Sequence, residues 1–131
     1  MPIALTDPAV APVLIDSIKW HHDRGHALLR AFVVMDDHVH WLFTLGQERT
    51  LDDVMYGFGS ITWHRLHHLL PVQIPTFWQE SFHDHQLRAN ETPRAKAAYI
   101  HRNPVRLGLC DEPEEWPWST ASEPYSGWVI R

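Results

Sequence analysis

The stretch ALLRAFVVMDDHVHWLFTL, residues 27–45, decides the fold of this chain. Its first part, Ala27–Met35, is apolar apart from Arg30, as is typical of a strand inside a sheet. Met35-Asp36-Asp37 forms a short turn, and from His38 to Leu45 successive residues alternate between two faces. The stretch therefore predicts an antiparallel β-hairpin.

Patterns of helical spacing lie on both sides of the hairpin. A first helix is predicted between a start signal at Thr6-Asp7 and a stop at Asp23-Arg24-Gly25. A second helix is predicted over Leu51–Leu70, where Gly57 and Gly59 are weak points because glycine disfavours helix interiors.

The second half of the chain adds a strand, a helix and a tail. A short strand is expected over Phe82–Leu87. A further helix starts at Asn90 or Thr92 and ends about Asn103, because the following proline disfavours helical geometry in its predecessor. Residues 111–131 have no clear periodicity, so an irregular C-terminal tail is expected. The order of elements predicts an α+β domain with a mainly antiparallel sheet.

Length and composition fit one domain over residues 1–131. The chain is 44% apolar and 21% charged, which suffices for a core and leaves no room for a second domain. It has no apolar run of membrane-spanning length and no signal-like N-terminus, so membrane and secretory classes are excluded. Cys110 is the single cysteine, which suits a reducing compartment and predicts a cytoplasmic protein with Cys110 buried.

The charge of the chain is unevenly distributed. The net charge of -5 argues at first against a nucleic-acid partner, which normally requires a basic surface. Between positions 88 and 106, however, basic residues outnumber acidic ones by four, so this stretch could face an anion. The basic residues are Arg88, Arg94, Lys96, Arg102 and Arg106, against Glu91.

Eleven histidines in 131 residues suggest metal or acid–base chemistry. His38 and His40 are two residues apart on a predicted strand, so both imidazoles lie on one face and could share a metal ion. In so histidine-rich a chain, a core or surface pair without a ligand is the more common interpretation of this pair taken alone.

Tyr99 and Asn103 form a second candidate pair. Their i, i+4 spacing places them on one helical face, with Tyr99 as a candidate nucleophile and Asn103 as an oxygen ligand. The structural alternative is a buried tyrosine and a helix-capping asparagine. Both pairs together fit one mechanism, in which a divalent ion polarises a phosphodiester while the tyrosine oxygen attacks phosphorus.

Four segments carry a resemblance to a known family. From Phe32 to Ser122 the chain resembles the REP-associated tyrosine transposases, a branch of the HUH single-strand nuclease superfamily. The matching segments are Val34–Leu42, Phe77–Arg88, Tyr99–Leu109 and Glu114–Ser119.

The resemblance implies a fold and an activity. It implies a ferredoxin-like antiparallel sheet with helices packed on it, forming a single HUH nuclease domain. His38, His40 and Asn103 match the metal ligands for Mg²⁺ or Mn²⁺, and Tyr99 matches the nucleophile. The activity implied is cleavage and strand transfer of single-stranded or hairpin DNA through a covalent 5′-phosphotyrosine, with the basic residues Arg88, Arg102 and Arg106 contacting DNA.

The chain also departs from the family pattern. The family's first strand, central in its sheet, has no counterpart before the first helix, which leaves a start-site error, a degenerate copy or an edge filled by a homodimer as explanations. Gly59 stands where relatives usually carry a lysine. A decayed or domesticated relative that binds structured DNA without cleaving it is therefore the alternative function, and a histidine-rich hydrolase unrelated to DNA is a third.

The remaining conspicuous residues have simpler interpretations. Three histidines of the second helix are expected on its solvated face, and three near the end of the first helix are expected to place positive charge where the helix dipole favours it. Tryptophans of the C-terminal part are expected to anchor packing. The histidines of the second helix are His64, His67 and His68. Those near the end of the first helix are His21, His22 and His26, and the tryptophans are Trp116 and Trp118.

Overall fold

The computed structural model describes residues 4–68, 82–84 and 92–130. The helices and strands confirm the predicted α+β class. In chain order they are α1 (Ala11–Asp23), β1 (Ala27–Val34), β2 (Val39–Leu45), α2 (Leu51–Leu66), β3 (Phe82–Asp84), α3 (Pro93–His101) and α4 (Asn103–Arg106), followed by the short 3-10 turns Pro113–Glu115 and Tyr125–Trp128.

The predicted hairpin is confirmed. β1 and β2 pair antiparallel, with Val34 opposite Val39 beside the turn. At the open end, Gly46 lies so close to Gly25 that a Cβ atom on Gly46 would stand 1.9 Å from the carbonyl oxygen of Gly25. Only glycine fits there, so this close approach fixes how the hairpin joins the preceding helix.

The third strand pairs differently from the hairpin. β3 lies parallel to β2, with Val39 opposite Phe82 and Trp41 opposite Asp84, which gives the strand order β1-β2-β3. The antiparallel prediction thus holds for the hairpin, and a short parallel strand extends the sheet. Residues 85–87 of the predicted strand lie outside the described residues.

Helices α1 and α2 cover one face of the sheet. Leu14 and Ile18 of α1, Trp41 of β2 and Phe58 of α2 are buried in one apolar cluster. α2 begins with a capping box at Thr50 and ends earlier than predicted, at Leu66. His64, His67 and His68 are exposed, as predicted.

His21 differs from its prediction. It is buried, only 2% exposed, and its Nδ1 donates to the carbonyl oxygen of Ser17 at 2.7 Å. Burial lowers the pKa of His21, so positive charge at the end of α1 is the wrong interpretation for this residue. A Cβ on Gly57 of α2 would lie 3.0 Å from His21 Nε2, so this glycine allows the two helices to approach.

Helix α3 covers the other face. Ala31 and Val33 of β1, Leu42 of β2 and Ile100 of α3 form a second buried cluster. Both faces of the hairpin are therefore covered, and α3 packs against the hairpin whose second strand carries His40.

The C-terminal tail contains only the two short 3-10 turns, and it is anchored along β1. Val34 N–H donates to the carbonyl oxygen of Trp118 at 2.9 Å, and Thr120 N–H donates to that of Phe32 at 3.0 Å. Trp116 packs on the second cluster, and its Nε1–H donates to the carbonyl oxygen of Val34 at 2.8 Å. The tail thereby satisfies backbone groups on the outer edge of the sheet.

Two further features are the exposure of Cys110 and the length of the helices. Cys110 is partly exposed, so the prediction of a buried thiol is wrong. Within the described ranges, the helices are too short or too polar to span a membrane.

Candidate metal and nucleophile site

Strand geometry brings the two predicted histidines together. His38 immediately precedes β2 and His40 is its second residue, so both side chains lie on one face of the sheet. Their Nε2 atoms are 3.1 Å apart. Two nitrogen lone pairs this close repel unless a proton or a cation lies between them, so the pair is a candidate cation site.

Asp37 orients the first of these rings. Its Oδ1 accepts a hydrogen bond from His38 Nδ1 at 2.6 Å, which directs the His38 Nε2 atom toward His40. A carboxylate bonded to the outer nitrogen of a metal-binding histidine fixes the tautomer and raises the basicity of the ligand. Sequence reasoning assigned Asp37 only to a turn, although an aspartate directly before a candidate histidine ligand was a usable signal.

The helix that carries Tyr99 ends just before Asn103, close to its predicted end at about Asn103. Thr92 caps α3, with its Oγ1 accepting from Ala95 N–H at 3.0 Å. α3 ends at His101, Arg102 is its C-cap, and Asn103 begins the separate helix α4. Proline is favoured in the first turn of a helix, so the proline after Asn103 starts a new helix rather than ending the old one.

Asn103 nevertheless reaches the histidine pair. Its Nδ2 atom lies 2.9 Å from His40 Nε2 and 3.5 Å from His38 Nε2. In the described part of the chain, His38 and His40 are not joined by a third His, Cys, Asp or Glu that could complete a metal site. The amide of Asn103 takes the third position, and its Nδ2 atom forms a triangle with the Nε2 atoms of the two histidines.

The dimensions of this triangle fit a small divalent ion. Neighbouring octahedral ligands at about 2.1 Å from Mg²⁺ are about 3.0 Å apart. The three separations here are 3.1, 2.9 and 3.5 Å. As the structure stands, Asn103 presents its amide nitrogen, and a half-turn of the amide exchanges Nδ2 for Oδ1, the atom that can bind a hard cation.

Tyr99 lies beside this triangle on the exposed side of α3. Its side chain is 56% exposed. The Arg106 guanidinium stacks 4.0 Å from the centre of its ring, and the Lys96 ammonium lies 5.3 Å from it. Arg106 also donates to Asn103 Oδ1 at 3.2 Å, so it links the tyrosine to the third ligand position.

The three basic residues predicted to contact DNA are placed differently from one another. Arg106 joins the site as described above. Arg102 is exposed at the C-terminal end of α3. Arg88 lies outside the described residues.

Comparison with known proteins identifies the family of this chain. The family model described as "Transposase IS200 like" matches residues 4–103. The chain belongs to the IS200-like transposases. It is similar to the REP-associated tyrosine transposase of Escherichia coli (strain K12), with 30% identity over 103 residues, which confirms the predicted resemblance.

The match to that IS200-like relative covers part of its length. It spans 79% of this chain and 59% of the relative. No solved structure is a significant match to this chain.

Proposed function

We propose that this chain is a metal-dependent endonuclease and strand transferase that acts on single-stranded or hairpin DNA through a covalent link to Tyr99. One observation supports this above all: the Asn103 amide nitrogen lies 2.9 Å from His40 Nε2, so residues 63 positions apart in the chain are in contact where a cation could bind. That site lies beside an exposed tyrosine, as a phosphoryl transfer by tyrosine requires.

Three side chains would hold the cation. His38 and His40 would contribute Nε2, and Asn103 would contribute Oδ1 after its amide turns. Mg²⁺ or Mn²⁺ suits this donor set, because amide oxygens and imidazoles both bind such ions. When bound, the ion would act as a Lewis acid that polarises a phosphodiester oxygen.

Tyr99 would supply the nucleophile. Its phenolic oxygen attacks the phosphorus of the scissile phosphodiester, the Tyr–O–P bond forms, and the bond from phosphorus to the 3′ oxygen breaks. The proton lost by tyrosine is balanced by the proton gained at the 3′ hydroxyl. The phosphotyrosine conserves the energy of the broken bond, so a 3′ hydroxyl can attack it in reverse and join a strand.

Basic side chains around the tyrosine would bind the phosphate. Arg106 and Lys96 lie over the Tyr99 ring, and Arg102 is exposed one turn away. An arginine can contact two phosphate oxygens at once, which would hold phosphorus in line with the phenolic oxygen. No observation favours the alternative of a DNA-binding relative that has lost cleavage.

The experiment is a covalent trapping assay. The intact protein is incubated with a labelled hairpin oligonucleotide and Mn²⁺, and adducts are separated on a denaturing gel. We expect an adduct that requires Mn²⁺, disappears in Tyr99→Phe and persists in Tyr56→Phe, a control at a tyrosine that is 80% exposed. Binding without any adduct would instead support the non-cleaving alternative.

A further inference from the structure

A cavity lies between α3, β1 and the C-terminal tail. Its volume is about 530 Å³, within the range of small-ligand sites. Arg30, Arg94, His101 and Thr120 contribute its polar lining, and aliphatic side chains that include Val129 and Ile130 form an apolar wall. None of these residues belongs to the metal and nucleophile site.

The two arginines of this cavity are available for an anion. Arg30 Nε–H donates to Thr44 Oγ1 at 2.7 Å, which fixes the guanidinium on the strand. Among residues 4–68, 82–84 and 92–130, neither Arg30 nor Arg94 has a carboxylate partner. Two arginines that line a cavity without a carboxylate favour a phosphate ester as ligand.

His101 adds an imidazole to the same cavity. Its Nε2 lies 2.7 Å from Thr120 Oγ1, and that hydroxyl oxygen also accepts from Phe32 N–H at 3.0 Å. Burial lowers the pKa of His101 despite the opposing charge of Glu114, which favours the neutral ring. A neutral imidazole has one donor and one acceptor nitrogen, so it can hydrogen-bond to the edge of a base.

The cavity and Tyr99 lie on opposite sides of α3. A helix turns by about 100° per residue, so positions 94 and 99 point about 140° apart. An α-helix with its side chains is about 10–12 Å across, and stacked nucleotides are spaced by about 3.4 Å along a strand. A strand that crosses α3 from Tyr99 would thus reach the cavity after about three nucleotides.

We propose that this cavity binds one nucleotide of the DNA strand, about three positions from the phosphodiester that Tyr99 attacks. The inference rests on the proposed function. Arg30 and Arg94 contact the phosphate, the aliphatic wall covers the sugar and the face of the base, and His101 hydrogen-bonds to the base edge.

The test compares strands with short and long flanks. Binding of hairpin oligonucleotides with one or six unpaired nucleotides on each side is measured by fluorescence anisotropy in EDTA, so that cleavage plays no part. We expect the wild-type protein to bind the long-flank hairpin at least tenfold more tightly. The double variant Arg30→Gln/Arg94→Gln and the cavity-filling variant Ala98→Phe should each abolish that difference.

Two controls match these changes. Arg24→Gln/Arg49→Gln removes two charges at exposed positions elsewhere, and Ala95→Phe adds the same bulk to an exposed position of α3 outside the cavity. Both should keep the tenfold preference. A preference that survives in both cavity variants, or the absence of any preference in the wild type, would overturn the inference.

Two further arms separate the possible outcomes. If deoxynucleoside monophosphates bind the wild type but not the cavity variants, while the flank preference is unchanged, the cavity holds a free nucleotide and the strand assignment is wrong. If wild-type protein shows the flank preference but forms no adduct with Mn²⁺, the cavity assignment stands and the proposed cleavage fails.

Discussion

The guanidinium of Arg106 lies 4.0 Å from the centre of the Tyr99 ring, and its Nη1 donates to the carbonyl oxygen of Tyr99 at 2.8 Å. Its Nη2 donates to Asn103 Oδ1. One side chain thus spans the helix break at Arg102 and connects the candidate nucleophile to the candidate third ligand. Contacts with Arg106, rather than one continuous helix, therefore link Tyr99 to Asn103.

Arg106→Gln should strengthen metal binding. Arg106 competes with a cation for Asn103 Oδ1, and its charge repels the cation by on the order of 1 kcal/mol at this range. We expect the affinity for Mn²⁺ to rise by about three- to tenfold, measured by isothermal titration calorimetry. Arg102→Gln removes an equal charge without touching the amide, and an equal gain in that variant would contradict the competition.

Asp37→Asn should weaken metal binding. The carboxylate that accepts from His38 Nδ1 would be lost, and such outer partners typically contribute 10- to 100-fold in metal affinity, roughly. We expect a loss of that size in Mn²⁺ titrations followed by electron paramagnetic resonance. Asp111→Asn, at an exposed acid away from the site, is the control, and unchanged affinity in Asp37→Asn would disprove the orienting role.

Alanine substitution at the two glycines of α2 should change the free energy of unfolding in opposite directions. A Cβ at Gly57 meets the buried ring of His21 at 3.0 Å, whereas a Cβ at Gly59 meets nothing within 4 Å. Gly59→Ala should raise the free energy of unfolding by up to about 1 kcal/mol through helix propensity. The free energy of unfolding of Gly57→Ala should be about 1–3 kcal/mol lower than that of Gly59→Ala, because the added Cβ overpacks the contact with His21. Both values are measured by urea unfolding. Equal stability of the two variants would show that α1 and α2 can move apart freely.

Acid should destabilise the fold partly through His21. The folded pKa of this group is lowered from 6.5, mainly by burial, so below about pH 6.5 the unfolded chain binds a proton that the folded chain does not. The free energy of unfolding therefore falls as pH decreases, by at most about 1.4 kcal/mol per pH unit for this group, and the loss is absent above pH 6.5.

His21→Asn tests that contribution. The asparagine amide can still donate to the Ser17 carbonyl oxygen but does not titrate. Urea unfolding at pH 7.5 and pH 5 should show a smaller loss in the variant than in the wild type. An equal loss in both proteins would assign the acid sensitivity to other groups, such as His101, whose pKa is lowered in the same direction.

Local sequence patterns predicted the hairpin and the presence of α1, α2 and α3, although α1 begins at Ala11, after the predicted start signal at Thr6-Asp7. The alternation after Asp37 is enough to define β2, and the Thr-Pro start at residues 92–93 marks where α3 begins. The start of α4 at Asn103 was not predictable in the same way, because Pro104 is equally compatible with the end of one helix and the first turn of another. The tail's place along β1 depends on long-range backbone hydrogen bonds, which leave no periodic pattern.

The candidate site was partly predictable for a similar reason. The spacing of His38 and His40 and the four-residue step from Tyr99 to Asn103 are local, so sequence revealed them. The contact of Asn103 with His40, the stacking of Arg106 on Tyr99 and the burial of His21 are tertiary. They follow from how α3 and α1 pack on the sheet, which no single segment encodes.

The most direct test of the central claim is the identity of the residue that becomes linked to DNA. Protein trapped with a hairpin oligonucleotide and Mn²⁺ is digested with a protease and a nuclease, and the modified peptide is located by tandem mass spectrometry. We predict a nucleotide phosphate on the phenolic oxygen of Tyr99. A modification on Tyr56 or Tyr125, or the absence of any modified peptide under conditions in which the protein binds the hairpin, would contradict the account.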